Sequence, residues 1–325
     1  LKGRDRLSIV QYKGDPLSDL IRLLRPKTTL WARIDAHGRW GVSFRQRDDL
    51  LFCWVETGDC HLLRPGAEPM ALRQHDFAFV RTSTPFTLAS DPGAEPVGSD
   101  EIIAATGLSA MTIGDGTGAT PTVLRGGRFV FDTANEALLT TLLPQVVRLN
   151  SADPRSSGHL KALLTMNEEE SRSQAFGSQL FVGRLMELIL LEALRQVTID
   201  MDAQRTGLLA GLADPKIAPA LTSIHADPLH PWTVTALAWL CGLSRSSFAH
   251  RFGGIMGIGA IEYLQEWRIA LAKDALRSSN LTIGEIGLQV GFQSPSAFST
   301  AFTRIVGCSP KRFRDGGGPQ MRTPQ

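Results

Sequence analysis

Two short sets of polar side chains in the last third of the chain have the types and spacing needed to read a DNA duplex. The first is Arg245, Ser246, His250 and Arg251; the second is Ser294, Ser296, Thr300 and Arg304. Arginine presents a planar fork of donors that fits guanine O6 and N7, and short hydroxyls bond to base edges or phosphate oxygens. These groups can act together only if each set lies on one face of a helix that fits the major groove. A plain solvated face has the same composition, so the elements that carry the sets must decide between the two.

Other residues suggest other chemistry. Arg33, Trp40, Arg45, Trp54 and His61 fall in strand-like segments and are candidates for holding a small polar or anionic effector, although alternation along a strand turns about half of them outward. His37, His61 and His75 are single and separated, with no His-x-His pair, so neither a metal nor another cofactor is expected. No Ser-His-Asp, Cys-His or paired-carboxylate arrangement stands out locally. Cys53, Cys60, Cys241 and Cys308 lie scattered in apolar surroundings and read as reduced, buried thiols. The run Gly114-Asp-Gly116-Thr-Gly118 lacks a preceding strand and a following helix, so it reads as a loop rather than a phosphate cradle.

The two polar sets sit in a repeat. Val234, Leu237 and Gly242 recur as Ile283, Ile286 and Gly291, and Phe248, Phe252, Gly257 and Tyr263 recur as Phe298, Phe302, Gly307 and Phe313. A single extra residue in the second turn reconciles the two spacings. Each copy reads as a short helix ended by glycine, then Ser244 or Ser294 placed to cap a second helix. Phenylalanines four apart put one face of that second helix in a core and leave the polar set on the other. Between the copies, Ile261 to Leu276 is helical in pattern and reads as a rigid spacer that holds two recognition helices about 34 Å apart, one turn of DNA.

Charge is consistent with this division. Residues 214–325 hold 11 Lys or Arg against 7 Asp or Glu, a net of +4, so residues 1–213 carry −2 of the chain's +2. A chain of 325 residues accommodates about two domains. From about Thr29 to Leu88, short runs of Val, Leu, Phe and Trp broken by Gly and Pro predict an antiparallel β-barrel or sandwich. After Phe131 the periodicity becomes helical over Asn135–Leu149, His159–Glu170 and Gln179–Val197, the last a candidate dimerisation helix. Asp214-Pro215 reads as the start of a further helix. The domain boundaries expected are 1–200 for an effector-binding and dimerisation domain, 201–213 for a linker, 214–315 for the DNA-binding domain and 316–325 for a flexible tail. No apolar run reaches membrane-spanning length, and a soluble cytoplasmic protein is expected.

Over residues 214–314 the chain resembles the AraC/XylS family of bacterial regulators. The second copy, GFQSPSAFSTAFTRIVGCSPKRFR, matches the family signature through Gly291, Phe292, Ser294, Phe298, Phe302, Gly307, Pro310 and Arg314; the first matches through HPWTVTALAWLCGLSRSSFAHRF. Two departures stand out. Ala260 occupies the place of a usual proline, and Gly253-Gly254 replaces a usually basic pair. Earlier in the chain, the strand-turn-strand at Val55–Leu63, Gln74-His75-Asp76-Phe77, and Gly127 to Asp132 followed by Leu143-Pro144 are similar to a cupin-type effector domain. The resemblance implies an α+β fold, with a cupin-like β-barrel and flanking helices followed by an all-α domain of two helix-turn-helix units. It also implies promoter DNA, RNA polymerase, a small-molecule effector and a second copy of the chain as partners. The alternative is a metal-dependent cupin enzyme fused to a DNA-binding domain.

Overall fold

The computed structural model describes residues 14–24, 27–47, 49–107, 111–117, 120–131, 145–149, 154–173, 175–199 and 206–316. These fall into two compact units. Residues 14–24 join 206–316 in one, and residues 27–131 join 145–199 in the other.

Helix α1 (Pro16–Leu24) comes first in the chain and belongs to the unit with residues 206–316. The sheet unit follows, with β1 (Lys27–His37), β2 (Gly41–Phe44), β3 (Leu50–Thr57), β4 (Cys60–Leu63), β5 (Met70–Leu72), β6 (Phe77–Arg81), β7 (Phe86–Ala89) and β8 (Val97–Gly98). Helix α2 (Ser99–Thr106), β9 (Met111–Gly114), β10 (Thr122–Val130) and β11 (Val146–Leu149) come next, and α3 (Pro154–Arg172) and α4 (Ser178–Ile199) close the unit. Among the described residues the strands form two sheets, ordered β11-β6-β3-β10-β1-β9 and β5-β4-β7-β2-β8. Pairing is antiparallel except for β1 with β9 and β2 with β8.

Strand alternation builds two separate cores from one sheet. On β3, Cys53 and Val55 join Val42, Leu62, Leu88 and Leu124 in a cluster shared by both sheets. Phe52, on the opposite face, stacks on Phe77 at a centroid distance of 5.6 Å and meets Phe129 at a tilt at 5.1 Å. Helix α4 packs on β1 and β11, with Met186, Ile189, Leu190, Ala193 and Leu194 buried. Each large apolar side chain buried in this way contributes about 1.5–3 kcal/mol.

The second unit is helical apart from its turns. After α1 it contains α5 (Leu208–Ala213), α6 (Ala218–Ala226), α7 (Val234–Leu240), α8 (Arg245–Met256), α9 (Ala260–Ser278), α10 (Ile283–Gln289), α11 (Pro295–Val306) and α12 (Pro310–Arg314). Helix α1 packs on α6 and α9 and places Asp19, fully buried, 3.6 Å from the equally buried His225 of α6. His225 Nε2 lies 2.7 Å from the Tyr263 hydroxyl, and its ring sits 4.1 Å from that of Trp267.

The structure revises several sequence expectations. Val146–Leu149, read as the end of a helix over Asn135–Leu149, is a strand paired with Phe77–Val80, and the part of that segment before residue 145 lies outside the described residues. Leu208–Ala213, read as linker, is helix α5, with Leu208 and Leu209 buried. Asp214 Oδ1 accepts from the Lys216 and Ile217 amides, but the helix beyond begins at Ala218 rather than at Pro215. Of the expected tail, residues 317–325 lie outside the described residues. No described helix is long and apolar enough to cross a membrane.

Candidate nucleic-acid interface

The helical unit contains the same construction twice. Thr233 caps α7 by accepting from the Ala236 amide at 3.1 Å, and Thr282 caps α10 by accepting from Glu285 at 3.2 Å. Ser244 and Ser294 then cap α8 and α11, accepting from the Ser247 and Ala297 amides at 3.2 and 3.1 Å. The intervening turns need positive φ, which Gly242 (62°) and Gly291 (93°) supply without a Cβ penalty. Phe248 and Phe252 on α8, and Phe298 and Phe302 on α11, are completely buried.

With those rings inward, the opposite faces are open. Arg245, Ser246 and His250 of α8 are exposed, as are Ser296, Thr300 and Arg304 of α11. Three members of the predicted set have other attachments. Ser294 is half-buried, and its hydroxyl is occupied as the cap of α11. Arg251 grips Asp214, with Nε 3.1 Å from Oδ2 and Nη2 2.5 Å from the same oxygen. Burial pushes the Asp214 carboxyl up, but the Arg251 hydrogen bond and the two backbone amides outweigh it and hold the group below the usual carboxylate range. Arg304 donates to Gln265 of α9 at 2.8 Å while remaining exposed.

Helix α9 connects the two constructions, called lobes 1 and 2 below. Its Arg268 donates to the carbonyls of Pro228 and His230 at 2.7 and 3.0 Å, both before α7. The same guanidinium fills the space beside Gly291, where a Cβ would approach it to 2.9 Å. One side chain therefore touches the loop ahead of lobe 1 and the turn of lobe 2. Sequence reasoning missed the contacts of Arg268, the Asp214–Arg251 pair and the Asp19–His225 pair, because these partners lie far apart in the chain.

A family model described as Cupin matches residues 15–198, and one described as a helix-turn-helix domain matches residues 237–316. AraC-like transcription regulators of Streptomyces lividans and Streptomyces antibioticus are each 36% identical to the chain over 301 residues, spanning 92% of this chain and 98% of each relative. The chain belongs to the AraC/XylS family. AlkR, an HTH-type transcriptional regulator of Acinetobacter baylyi, is 39% identical over 146 residues, 45% of this chain and 47% of that one. Like the family, this AraC/XylS regulator binds DNA sequence-specifically through its helix-turn-helix domain.

In the sheet unit of the regulator, the five predicted effector residues do not converge. Arg33 pairs with Asp35 at 3.0 Å, and Arg45 pairs with Asp100 at 2.9 Å. Trp40 is buried in the core shared by the sheets. Trp54 lies under the Arg125 guanidinium, 5.8 Å from its ring centroid, and His61 Nδ1 sits 3.3 Å from the Ser90 carbonyl. A cavity with about 90 Å³ of free space does exist between the sheets, but its wall contains none of these five. Ile34, Phe44 and Cys53 line it instead, each one residue along the strand from Arg33, Arg45 or Trp54. Within β1, Arg33 and Ile34 are adjacent and face opposite sides of the sheet, so a shift of one position decides which of the two meets the cavity.

The histidines considered as metal ligands are also dispersed. His37 ends β1 opposite Gly114, His61 lies on β4, and His75 stacks on Trp54 at 6.4 Å. Among the described residues no group of three or more His, Cys, Asp or Glu is arranged to hold a metal ion, which leaves the metal-dependent enzyme reading without a ligand set there.

Proposed function

We propose that the regulator binds promoter DNA by inserting α8 and α11 into successive major grooves on one side of the duplex. Arg245, Ser246 and His250 then act in the first groove, and Ser296, Thr300 and Arg304 in the second. The observation that carries this reading is the repeated outward presentation of a capped polar helix face over a buried phenylalanine pair. Arg268 supports a fixed spacing, since it holds the loop before one lobe against the turn of the other. Ser294 serves as a cap, and Arg251 orients α8 through Asp214.

The same reading assigns the two facing sheets to a cupin-like barrel whose cavity takes a small effector. Exposed Met166 on α3 with Leu180, Phe181 and Leu188 on α4 favours a homodimer through these helices, because such side chains lose water-exposed apolar area when paired. RNA polymerase is the further partner of such a regulator, and DNA as target places its action in the cytoplasm.

The direct test is Arg245→Ala, measured on a duplex selected from a random pool by the full chain. Affinity for that duplex is expected to fall by about 1–3 kcal/mol, with relaxed preference at one base pair. Unchanged affinity at every salt concentration counts against a DNA role for Arg245.

A further inference from the structure

From the chemistry of its wall, we infer that the cavity between the sheets takes a small uncharged apolar molecule. Its location rests on the effector reading above, whereas the ligand class comes from the side chains themselves. Its lining includes Ile34 and Leu124 of one sheet, Phe44 and Leu88 of the other, Ile102 of α2 and Met111 of β9. A site of this composition rewards burial of apolar surface and gives few anchors to hydroxyl groups. Water in it lacks the two to four polar partners that hold an internal molecule in place, so an apolar ligand displaces it favourably.

The polar groups on the wall are already engaged or neutral. Arg47 is paired with Asp100. Arg125 donates to both Glu56 oxygens, at 2.6 and 2.8 Å, and also meets Glu168. Arg128 lies 3.2 Å from Asp49. An entering carboxylate finds no free guanidinium among these and would have to give up an existing ion pair to make its own, so its charge gains little in a partly buried site. A cation meets the converse obstacle, since the nearby acids are taken. Burial pushes the Cys53 thiol up to about 12, so it remains neutral, and the Ser99 hydroxyl adds a further uncharged group. What remains accessible is hydrocarbon.

Toluene and benzoate share a ring and differ in charge, which makes them suitable probes of the full-length chain. Toluene is expected to raise the melting temperature in a saturable manner, since binding to the folded state alone stabilises it. Benzoate is expected to bind at least ~10-fold more weakly. Ile102→Trp and Ile113→Phe, which enlarge side chains on the wall from α2 and from β9, are expected to lose the toluene shift while keeping affinity for the selected duplex. Strand-region circular dichroism and a cooperative melt without toluene verify that the sheet unit of each variant is folded. Absence of a toluene shift in the native chain overturns the inference, and so does benzoate binding as tightly as toluene. A toluene shift retained by both folded variants overturns the assignment to this cavity. If toluene binds but leaves DNA affinity unchanged, the ligand class stands and the effector reading falls.

Discussion

Lobe 1 and lobe 2 adopt one construction, yet their helices are secured differently. In lobe 2 more of the determinants are local, beside longer-range contacts such as Arg304 to Gln265 and Arg314 to the Leu281 carbonyl. Thr282 and Glu285 form a reciprocal capping box, Ser309 caps α12, and prolines begin both α11 and α12. In lobe 1, Gly259 precedes Ala260 with no side-chain cap, and α8 contains Gly253 and Gly254 where lobe 2 has Thr303 and Arg304. Lobe 1 draws instead on distant partners: Asp214 for Arg251, α5 beneath α8, and Asp19 of α1 for His225. A repeat can thus preserve its backbone while transferring stability from neighbouring residues to remote ones, and lobe 1 is tied through His225 to Asp19 near the start of the described residues.

Core truncation offers the largest perturbation of this comparison. Phe302→Ala removes a fully buried ring packed 5.6 Å from Phe298 and 5.5 Å from Phe313, and a cost of about 3–5 kcal/mol is expected. Phe252→Ala is the matched change in lobe 1, where the ring meets Phe248 and Tyr263. Hydrogen exchange is expected to show loss of protection centred on the mutated lobe. An unaltered melting curve contradicts the core assignment, and equal loss across both lobes makes them a single cooperative block.

A smaller effect separates the lobes by pH. His225→Phe leaves Asp19 and the Tyr263 hydroxyl without their buried partner, for an expected cost of about 1–3 kcal/mol at neutral pH. Burial pushes the His225 pKa below its ordinary value, although Asp19 pulls it partly back. The unfolded chain therefore takes the proton first as the pH falls through about 6.5. Stability from this group is full above that pH and declines in acid until the folded protein is protonated too. No histidine follows His250, so lobe 2 lacks this source of acid sensitivity. Chemical denaturation of the native chain and of His225→Phe across this range is expected to give a shallower pH slope in the variant. Parallel slopes eliminate His225 as the titrating group.

These differences also explain which parts of the fold were legible in sequence. Caps at Ser244 and Ser294, glycines at turns and phenylalanines four apart act within one or two helical turns, so their pattern appears directly in the residue order. Strand parity is a different kind of information. Arg33 and Ile34 are equally strand-like until pairing with β10 and packing of the second sheet decide which one faces the cavity. Val146 and Val147 became strand through pairing with β6 despite a helical-looking lead-in. The place of α1 was hidden for the same reason, since Asp19 acquires its role only when α6 and α9 are folded beside it.

The smallest effect tests whether local signals limit lobe 1 at all. A Cβ added at Gly253 meets nothing within 4 Å, so Gly253→Ala is expected to stabilise α8 by about 0.5–1 kcal/mol through reduced freedom of the unfolded chain. Ala260→Pro copies Pro310 of lobe 2 at the first position of α9. The preceding Gly259 has φ −72° and ψ 152°, an extended conformation compatible with a following proline, and about 0.4–1 kcal/mol is expected here as well. The reciprocal Pro310→Ala should cost lobe 2 a similar amount. Gains in lobe 1 without loss of DNA affinity mean that its weaker local encoding is simply unused stability. If both substitutions leave the melting temperature unchanged, the Asp214 and α1 contacts already dominate that lobe, and its stability is set from outside the repeat.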